Sequence, residues 1–400
     1  MSKRVMFYSH DTFGLGHIRR TQKIANSISD GKKSILIACS SPMANSFSSK
    51  PGIEYLNLPG FAKQMNGEYL PRSLNIPIEE FTAMRAQLLL AAVKTFRPDM
   101  LIVDKEPLGV KGELLPTLRH VRDSGMQTRM VCGFRDILDE REKIEEEWAR
   151  KGVLKALGEF YDTLLVYGEK AHFDFEREYN LPEFLGRKVI HTGYVQPKEN
   201  LETEFFALDF PRDRPVVTFT LGGGGDGWEY VDTFLTMLEQ RLAGDDLNFV
   251  LLMGPFANLP LVERAKRLEA ARSNVRVLGF TSNAIGLFDR SRLVISMGGY
   301  NSVCELLHLR KYPLILPRVT PREEQLIRAK VFKGRGLMDY IHPRDLSPVS
   351  LARKVRELVD FDRSNVPAFE TNGIENVSNF IEETLGCRPK LGSFLKVIHA

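Results

Sequence analysis

The chain has 400 residues, 43% hydrophobic and 26% charged, with a formal net charge of +4; the length exceeds one hydrophobic core, so two domains are expected, and the small charge argues against a dedicated nucleic-acid binder. Its four cysteines, Cys39, Cys132, Cys304 and Cys387, are too scattered for a zinc site or a disulfide framework and fit a reducing, cytoplasmic setting. No apolar run approaches the roughly 18–20 residues of a membrane span, and the opening MSKRVMFYSHD turns polar too early for a signal peptide, so membrane contact is expected to be peripheral.

In chain order, an apolar strand at 5–9 runs into His10-Asp11-Thr12-Phe13-Gly14-Leu15-Gly16-His17, and a helix follows over about 18–29. Strands at 34–38 and 53–58 come next. The loop 59–75 mixes aromatic and basic residues (Phe61, Lys63, Met65, Tyr69, Arg72) without a period, and an apolar helix covers 78–95 around Leu88-Leu89-Leu90. A strand at 100–103 ends in Asp104-Lys105-Glu106, a helix covers about 112–123, and a strand at 128–132 ends in Gly133-Phe134-Arg135-Asp136. The charged stretch 139–155 reads as helix and 163–167 as strand. Strands alternating with helices predict a doubly wound parallel sheet.

Residues 196–214 are polar and proline-flanked, as a linker would be, and then the plan restarts. A strand at 215–221 leads into Gly222, Gly223, Gly224, Gly225, Asp226 and Gly227, with a helix over about 228–242. Strand 248–253, helix 259–272 and strand 275–278 follow, the last ending in Gly279-Phe280-Thr281. The stretch 291–337 then reads strand, Gly298-Gly299, helix, strand, a basic and acidic turn, and another helix. Helices at 347–359 and about 373–385 precede a basic tail. The reading is therefore α/β, with two Rossmann-like doubly wound domains facing across a cleft: 1–195, a linker at 196–214, 215–375, and a C-terminal helix and tail at 376–400.

Ligands of open α/β sheets sit at the carboxyl ends of the strands, where helix starts offer N–H groups and a positive dipole end. The run of glycines after 221 presents only backbone, which only a close anion uses. With Gly298-Gly299 it makes two anion-binding turns in one domain, as a diphosphate needs. Neither turn has the lysine and hydroxyl of a P-loop, which disfavours triphosphate hydrolysis. Glu305, about one turn (roughly 3.6 residues) into the helix after Gly299, reaches a polar ligand on the same rim. In the first half, Gly14 and Gly16 permit a tight turn and place His17 at the strand-to-helix junction. Arg19 stands where a dinucleotide-type third glycine would be; Arg19 and Arg20 are read as partners for a phosphate or acidic acceptor, or as a solvated first turn. Asp104, Glu106 and Asp136 also sit at strand ends and compete with His17 for a base role. The one D-x-D, Asp360-Phe361-Asp362, follows a late helix and reads as a helix-end turn, so no metal is expected.

Gly14-Leu15-Gly16-His17, Leu221 with its glycines, Leu278-Gly279-Phe280, and above all 296–306 with 317–329, make the chain resemble GT-B fold glycosyltransferases. The resemblance is to the family of MurG, the peptidoglycan N-acetylglucosaminyltransferase, and of plant and bacterial diacylglycerol glycosyltransferases. It implies metal-independent transfer of a hexose-type sugar, with inversion, from a nucleotide-diphosphate sugar, UDP-linked by analogy, to a lipid-linked or small hydroxyl acceptor. The nucleotide sugar is a co-substrate, and no cofactor is implied. The resemblance places the diphosphate on Gly299, Tyr300, Asn301 and Ser302, with Gly223 and Gly224. It puts the ribose hydroxyls on Glu305, the base against Phe280 and Thr281, the donor sugar on Gln325, and the acceptor at His17. The loop before Gln325 departs from the family, reading Arg318-Val319-Thr320-Pro321-Arg322-Glu323-Glu324 where a histidine and an aspartate are usual.

An inverting transfer needs a base for the acceptor hydroxyl and charge stabilisation for the departing diphosphate. Imidazole titrates near neutrality, so His17 is the favoured base. Two other readings share the architecture: a nucleotide-sugar 2-epimerase, and a non-catalytic nucleotide-sugar-binding subunit. A lipid-linked acceptor would place the protein at the inner face of the membrane, with the loop 59–75 and the helix near Leu88 as the contact; the alternative reading is that Leu88-Leu89-Leu90 is core and the loop simply exposed.

Overall fold

The computed structural model describes residues 2–10, 16–44, 49–63, 68–196, 210, 213–223, 225–254, 256–281 and 284–387. The chain divides into two compact units, Met1–Pro197 with Asn372–Ala400, and Lys198–Thr371. The strands of the first unit are β1 (Arg4–Tyr8), β2 (Ser34–Cys39), β3 (Ile53–Asn57), β4 (Phe61–Lys63), β5 (Tyr69–Pro71), β6 (Met100–Asp104), β7 (Arg129–Arg135), β8 (Thr163–Tyr167) and β9 (Val189–His191). Seven of them form one sheet in the order β3-β2-β1-β6-β7-β8-β9, and every pairing is parallel. In the second unit, β10 (Val216–Thr220), β11 (Asn248–Leu252), β12 (Val275–Leu278), β13 (Leu293–Ser296), β14 (Leu314–Ile315) and β15 (Asp339–Tyr340) make a six-stranded sheet. Its order, β12-β11-β10-β13-β14-β15, is again parallel throughout. This is the doubly wound order, in which the sheet turns back at its first strand.

Burial on both faces explains why these strands read as unbroken apolar runs. Along β11, Phe249 and Leu251 enter one core with Phe219 and Phe234, while Val250 and Leu252 enter the other with Val294 and Leu306. Phe219 stacks on Phe234 with ring centroids 4.6 Å apart. Each such side chain contributes about 1.5–3 kcal/mol on burial.

Three elements differ from the sequence reading. The loop 59–75 contains an antiparallel hairpin, with Phe61 opposite Pro71 and Lys63 opposite Tyr69. The stretch 139–155 is two helices, Arg141–Lys151 and Val153–Phe160, broken where Gly152 adopts φ +66. The last described helix, Gly373–Thr384, packs on the first unit, whereas the sequence reading divides it between the second domain and a separate C-terminal segment. Ser378 Oγ meets Ser27 Oγ at 2.7 Å, Glu382 pairs with Lys33 at 2.8 Å, and the Asn376 amide donates to the Thr192 carbonyl. The expected boundary at 375/376 falls inside this helix. Most of the expected linker lies outside the described residues.

A buried ion pair ties the hairpin to the first sheet. Arg85 donates from Nε and Nη2 to the two Glu113 oxygens at 2.5 and 2.7 Å, Tyr8 donates to Glu113 at 2.6 Å, and Arg85 lies 4.7 Å over the Phe61 ring. Arg85 also donates to the Pro59 carbonyl. Replacing Glu113 by Ala strands the guanidinium, and breaking such a pair costs about 3–5 kcal/mol. Urea unfolding of Glu113→Ala in a Trp228→Phe background, followed at buried Trp148, is expected to show that loss; a loss below about 1 kcal/mol contradicts a structural role for the pair.

Candidate functional site

Each sheet reverses direction beside its first strand, between β1 and β6 and between β10 and β13. The crossovers there leave in opposite directions, so the loops part and the carboxyl ends of the two strands are left uncovered. His17 and Asp104 fall at the first crevice and Gly223, Gly299 and the start of the following helix at the second, while Asp136, Phe280, Thr281 and Gln325 follow strands further out.

In the first unit, helix Gly16–Ile28 follows β1 and Asp104 ends β6. His17 Nδ1 lies 2.5 Å from Asp104 Oδ2, and Arg20 Nη2 donates to Asp104 Oδ1, also at 2.5 Å. Arg20 Nη2 also approaches His17 Nδ1 at 3.1 Å. A guanidinium only donates and an ionised carboxylate only accepts. The imidazole proton therefore sits on Nδ1 and is donated to Asp104, and the Arg20 approach is proximity without a bond. Nε2 is left as the basic nitrogen. Burial raises the Asp104 carboxyl, but Arg20 and His17 override it and hold it well below the usual carboxylate range. Burial pulls His17 from its ordinary 6.5 to about 4, against the opposing pull of Asp104. Buried His10 meets the His17 ring edge-on at 5.5 Å.

This geometry corrects several readings. Arg20 is neither solvated nor a phosphate ligand; it is 2% exposed, lies 5.2 Å over the Tyr167 ring and clamps Asp104. Asp104 does not compete with His17 as a base, because each of its oxygens accepts a bond from a cation or imidazole. Burial raises the Glu106 carboxyl too, but Lys105, His10 and Lys151 hold it well below the usual range, with Lys151 Nζ at 3.1 Å. Asp136 is 0% exposed, accepts the Ile137 N–H at 2.8 Å and packs against Gly168, where an added Cβ would lie 2.5 Å from its own. That enclosure removes it from a base role. Gly16 begins the helix, and Gly14 lies outside the described residues.

In the second unit, Gly222 (φ +72) follows β10 and donates its N–H to Thr220 Oγ1 at 3.0 Å. Gly298 (φ +84) follows β13 and donates to Ser296 Oγ at 3.2 Å. An added Cβ at Gly298 would meet Ile315 at 2.7 Å, so the turn needs glycine for space as well as for φ. Gly299 caps helix Tyr300–His308, whose first-turn N–H groups face the crevice as helix starts do. An added Cβ on Gly222 would lie 3.8 Å from Ser302 Oγ, which brings the two glycine turns to one place. Buried Arg328 donates to the Gly298 carbonyl at 3.1 Å and lies 5.8 Å from the Tyr300 ring centre. The Tyr300 side chain is itself buried, at 3% exposure. Gly223 accepts from the Phe256 N–H at 3.2 Å, and Gly224 lies outside the described residues. Phe280 is 45% exposed just past β12, with Thr281 beside it half-buried. Asn301 and Glu305 are buried, Glu305 at 1% exposure, so a ligand would have to open its surroundings to reach that carboxylate. Gln325 lies in the first turn of helix Glu324–Gly334 and accepts the Arg318 N–H through Oε1 at 2.8 Å. Beside it a pocket of about 500 Å³ is lined by Val319, Thr320, Glu323, Leu326, Lys330 and His342.

A cavity of about 690 Å³ in the first unit opens at the other end of the sheet, near Lys3, Asp99, Arg122 and Asp162. These charges pair with one another, at 3.5 Å for Lys3–Asp99 and 3.3 Å for Arg122–Asp162, so the larger hollow is not the one with chemistry. Asp362 accepts from the Ser364 N–H and hydroxyl, which makes the D-x-D a helix-end turn. Among the described residues no group of three or more His, Cys, Asp or Glu is placed to hold a metal.

Two Rossmann-type sheets, each with its polar residues at the strand reversal, define a GT-B fold. The crystal structure of Acinetobacter baumannii MurG superposes with a TM-score of 0.61 at 14% identity, covering 95% of this chain and 99% of that one. The UDP-GlcNAc 2-epimerase of Neisseria meningitidis, bound to UDP-GlcNAc, does so with a TM-score of 0.60 at 14% identity, covering 97% and 100%. Residues 219–383 match the family model of the glycosyltransferase family 28 C-terminal domain. By sequence the chain is similar to a UDP-N-acetylglucosamine–N-acetylmuramyl-(pentapeptide) pyrophosphoryl-undecaprenol N-acetylglucosamine transferase of Bacillus cereus, 28% identical over 202 residues. That match covers 49% of this chain and 55% of the relative, so the chain spans about half the length of the curated relatives it matches.

The depressed His17 pKa makes stability depend on pH. Between about 4 and 6.5 the unfolded chain takes up a proton that the folded chain refuses. Stability is therefore fully present above pH 6.5 and declines as pH falls through that window. The Asp104 contribution is lost only below its ordinary value of 3.8, outside the window. His17→Gln is expected to lose less stability than wild type between pH 7.5 and 5 in urea titrations (about one pH unit above and inside the window); parallel pH profiles count against the assignment.

Proposed function

We propose that this protein is an inverting, metal-independent glycosyltransferase that moves a hexose-type sugar from a nucleotide-diphosphate sugar, UDP-linked, to a hydroxyl acceptor. The observation that carries the reading is the His17–Asp104–Arg20 chain at the strand reversal of the first unit. It supplies a neutral imidazole with Nε2 as its basic nitrogen and an ionised carboxylate behind it. The family 28 domain and the two adjoining glycine turns of the second unit support a diphosphate donor there.

In this mechanism the acceptor O–H gives its proton to His17 Nε2 as its oxygen attacks the anomeric carbon. Asp104 stabilises the imidazolium that forms, as a buried carboxylate does for a catalytic histidine. The bond from the anomeric carbon to the diphosphate oxygen breaks on the opposite face, which inverts the configuration. Charge developing on the diphosphate is met by helix-start and glycine-turn N–H groups at Gly223, Gly299, Tyr300, Asn301 and Ser302. Gln325 holds the sugar, Glu305 the ribose, and Phe280 with Thr281 flanks the base.

A lipid-linked acceptor fits three exposed leucines of the first unit, Leu70, Leu74 and Leu88, at 43%, 46% and 39% exposure. Leu89, between Leu88 and Leu90, is core at 1%. Among the described residues no helix is long and apolar enough to cross a membrane. In this reading the protein works at the cytoplasmic membrane surface by peripheral contact.

Calorimetric titration with UDP, GDP, TDP, ADP and NAD tests the donor site. One nucleoside diphosphate is expected to bind at micromolar Kd and to weaken about tenfold (~1.4 kcal/mol) in Glu305→Gln. Silence across the panel sinks the donor assignment. His17→Ala is expected to keep that binding while losing turnover by about 10²–10⁴-fold. Undiminished turnover would remove His17 as the base, and conversion of the nucleotide sugar to its C2 epimer without an added acceptor would favour the epimerase.

A further inference from the structure

The loop that leads from β14 to Gln325 is held at four points. Tyr230 donates its hydroxyl to the Pro317 carbonyl at 3.1 Å, and the Arg318 N–H donates to Gln325 Oε1 at 2.8 Å. The Arg318 guanidinium then forks, Nη1 to Asp226 Oδ2 at 2.8 Å and Nη2 to Glu324 Oε1 at 2.7 Å. Asp226 belongs to the glycine run after β10, 92 residues away, and Glu324 opens the helix that carries Gln325. Arg318 is largely enclosed, at 24% side-chain exposure, and its Nε is buried without a hydrogen-bond partner. One side chain thus joins two loops that leave different strands.

Two consequences follow from elementary chemistry. The ends of a carboxamide differ, since oxygen accepts and nitrogen donates. Because a backbone N–H occupies Gln325 Oε1, the nitrogen end is the one left to meet a ligand, and a flipped amide would set two donors against each other. The fork also sets one fixed cation between two carboxylates beside the glycine turn. Arginine suits this place because it stays charged and presents its donors in a rigid plane.

We propose that Arg318 is a positioning residue that makes the glycine run and the Gln325 loop move as one body and presets Gln325 as a donor to the sugar's oxygens. The ligand part of this inference rests on the donor-site reading above; the mechanical part does not. Lysine reaches only one carboxylate at a time and restores only part of the clasp.

Hydrogen exchange on the ligand-free protein tests the mechanical part. In Arg318→Met, which keeps the backbone N–H, peptides containing Asp226 and peptides spanning 318–326 are expected to exchange at least tenfold faster together, with β10 and β13 unchanged. Asp226→Asn is expected to speed the 318–326 segment as well. Acceleration of 318–326 alone in Arg318→Met overturns the proposal, whatever the protein binds. With the nucleotide found in the panel, Arg318→Met is expected to weaken the nucleotide sugar about tenfold and the bare nucleoside diphosphate less than twofold, with Arg318→Lys in between. Equal weakening of the two ligands overturns the preset amide, and a silent panel leaves the exchange measurement as the deciding one.

Discussion

A parallel sheet that winds both ways from its first strand cannot cover that strand's carboxyl end, because the loops on either side part to follow their helices. Both units of this protein are built on that constraint, and both place their polar residues where it acts. The two crevices are furnished differently. The first holds titratable side chains in contact, His17, Asp104 and Arg20. The second holds mostly backbone, at Gly222, Gly298 and Gly299, with Ser302 close by. Side chains can exchange protons, whereas bare backbone lets an anion come close, so the first crevice is suited to proton exchange and the second to an anion.

The first crevice shows why a buried carboxylate needs two partners here. Burial alone would raise Asp104 until it took a proton. Arg20 prevents that and is itself enclosed against Tyr167. An ionised Asp104 then fixes the imidazole tautomer. The histidine thus depends on the arginine through the aspartate, and His17 is the most exposed of the three, at 15% against 6% for Asp104 and 2% for Arg20.

Much of the fold could be read from the sequence because strands buried on both faces announce themselves as apolar runs and glycines mark their ends. The two glycine turns were legible for the same reason, each following on a strand, and so was the place of His17 at the start of the helix after β1. The partnership of Arg20 with Asp104 was not, since the two lie 84 residues apart and nothing local tells a clamping arginine from a solvated one. The same holds for Arg318 and Asp226. The hairpin at 61–71 escaped because its strands have three residues each, too few to show alternation. The break at Gly152 was hidden by the helical composition on both sides. That Glu305 would be buried could not be read from its place one turn into the helix, because helix Tyr300–His308 is covered on nearly every side, not on one stripe.

The helix Gly373–Thr384 has a bearing on how the chain is made. It is the last described helix to leave the ribosome, yet its partners Ser27, Lys33 and Thr192 belong to the unit that emerges first. The second unit, Lys198–Thr371, is therefore one uninterrupted insertion that can complete its sheet while the first unit is still waiting for its final piece. During synthesis the surface of helix Gly16–Ile28 that receives this piece stays bare until some 340 further residues have followed (about 17–70 s at the usual 5–20 residues per second). The half that carries the histidine is begun first and finished last.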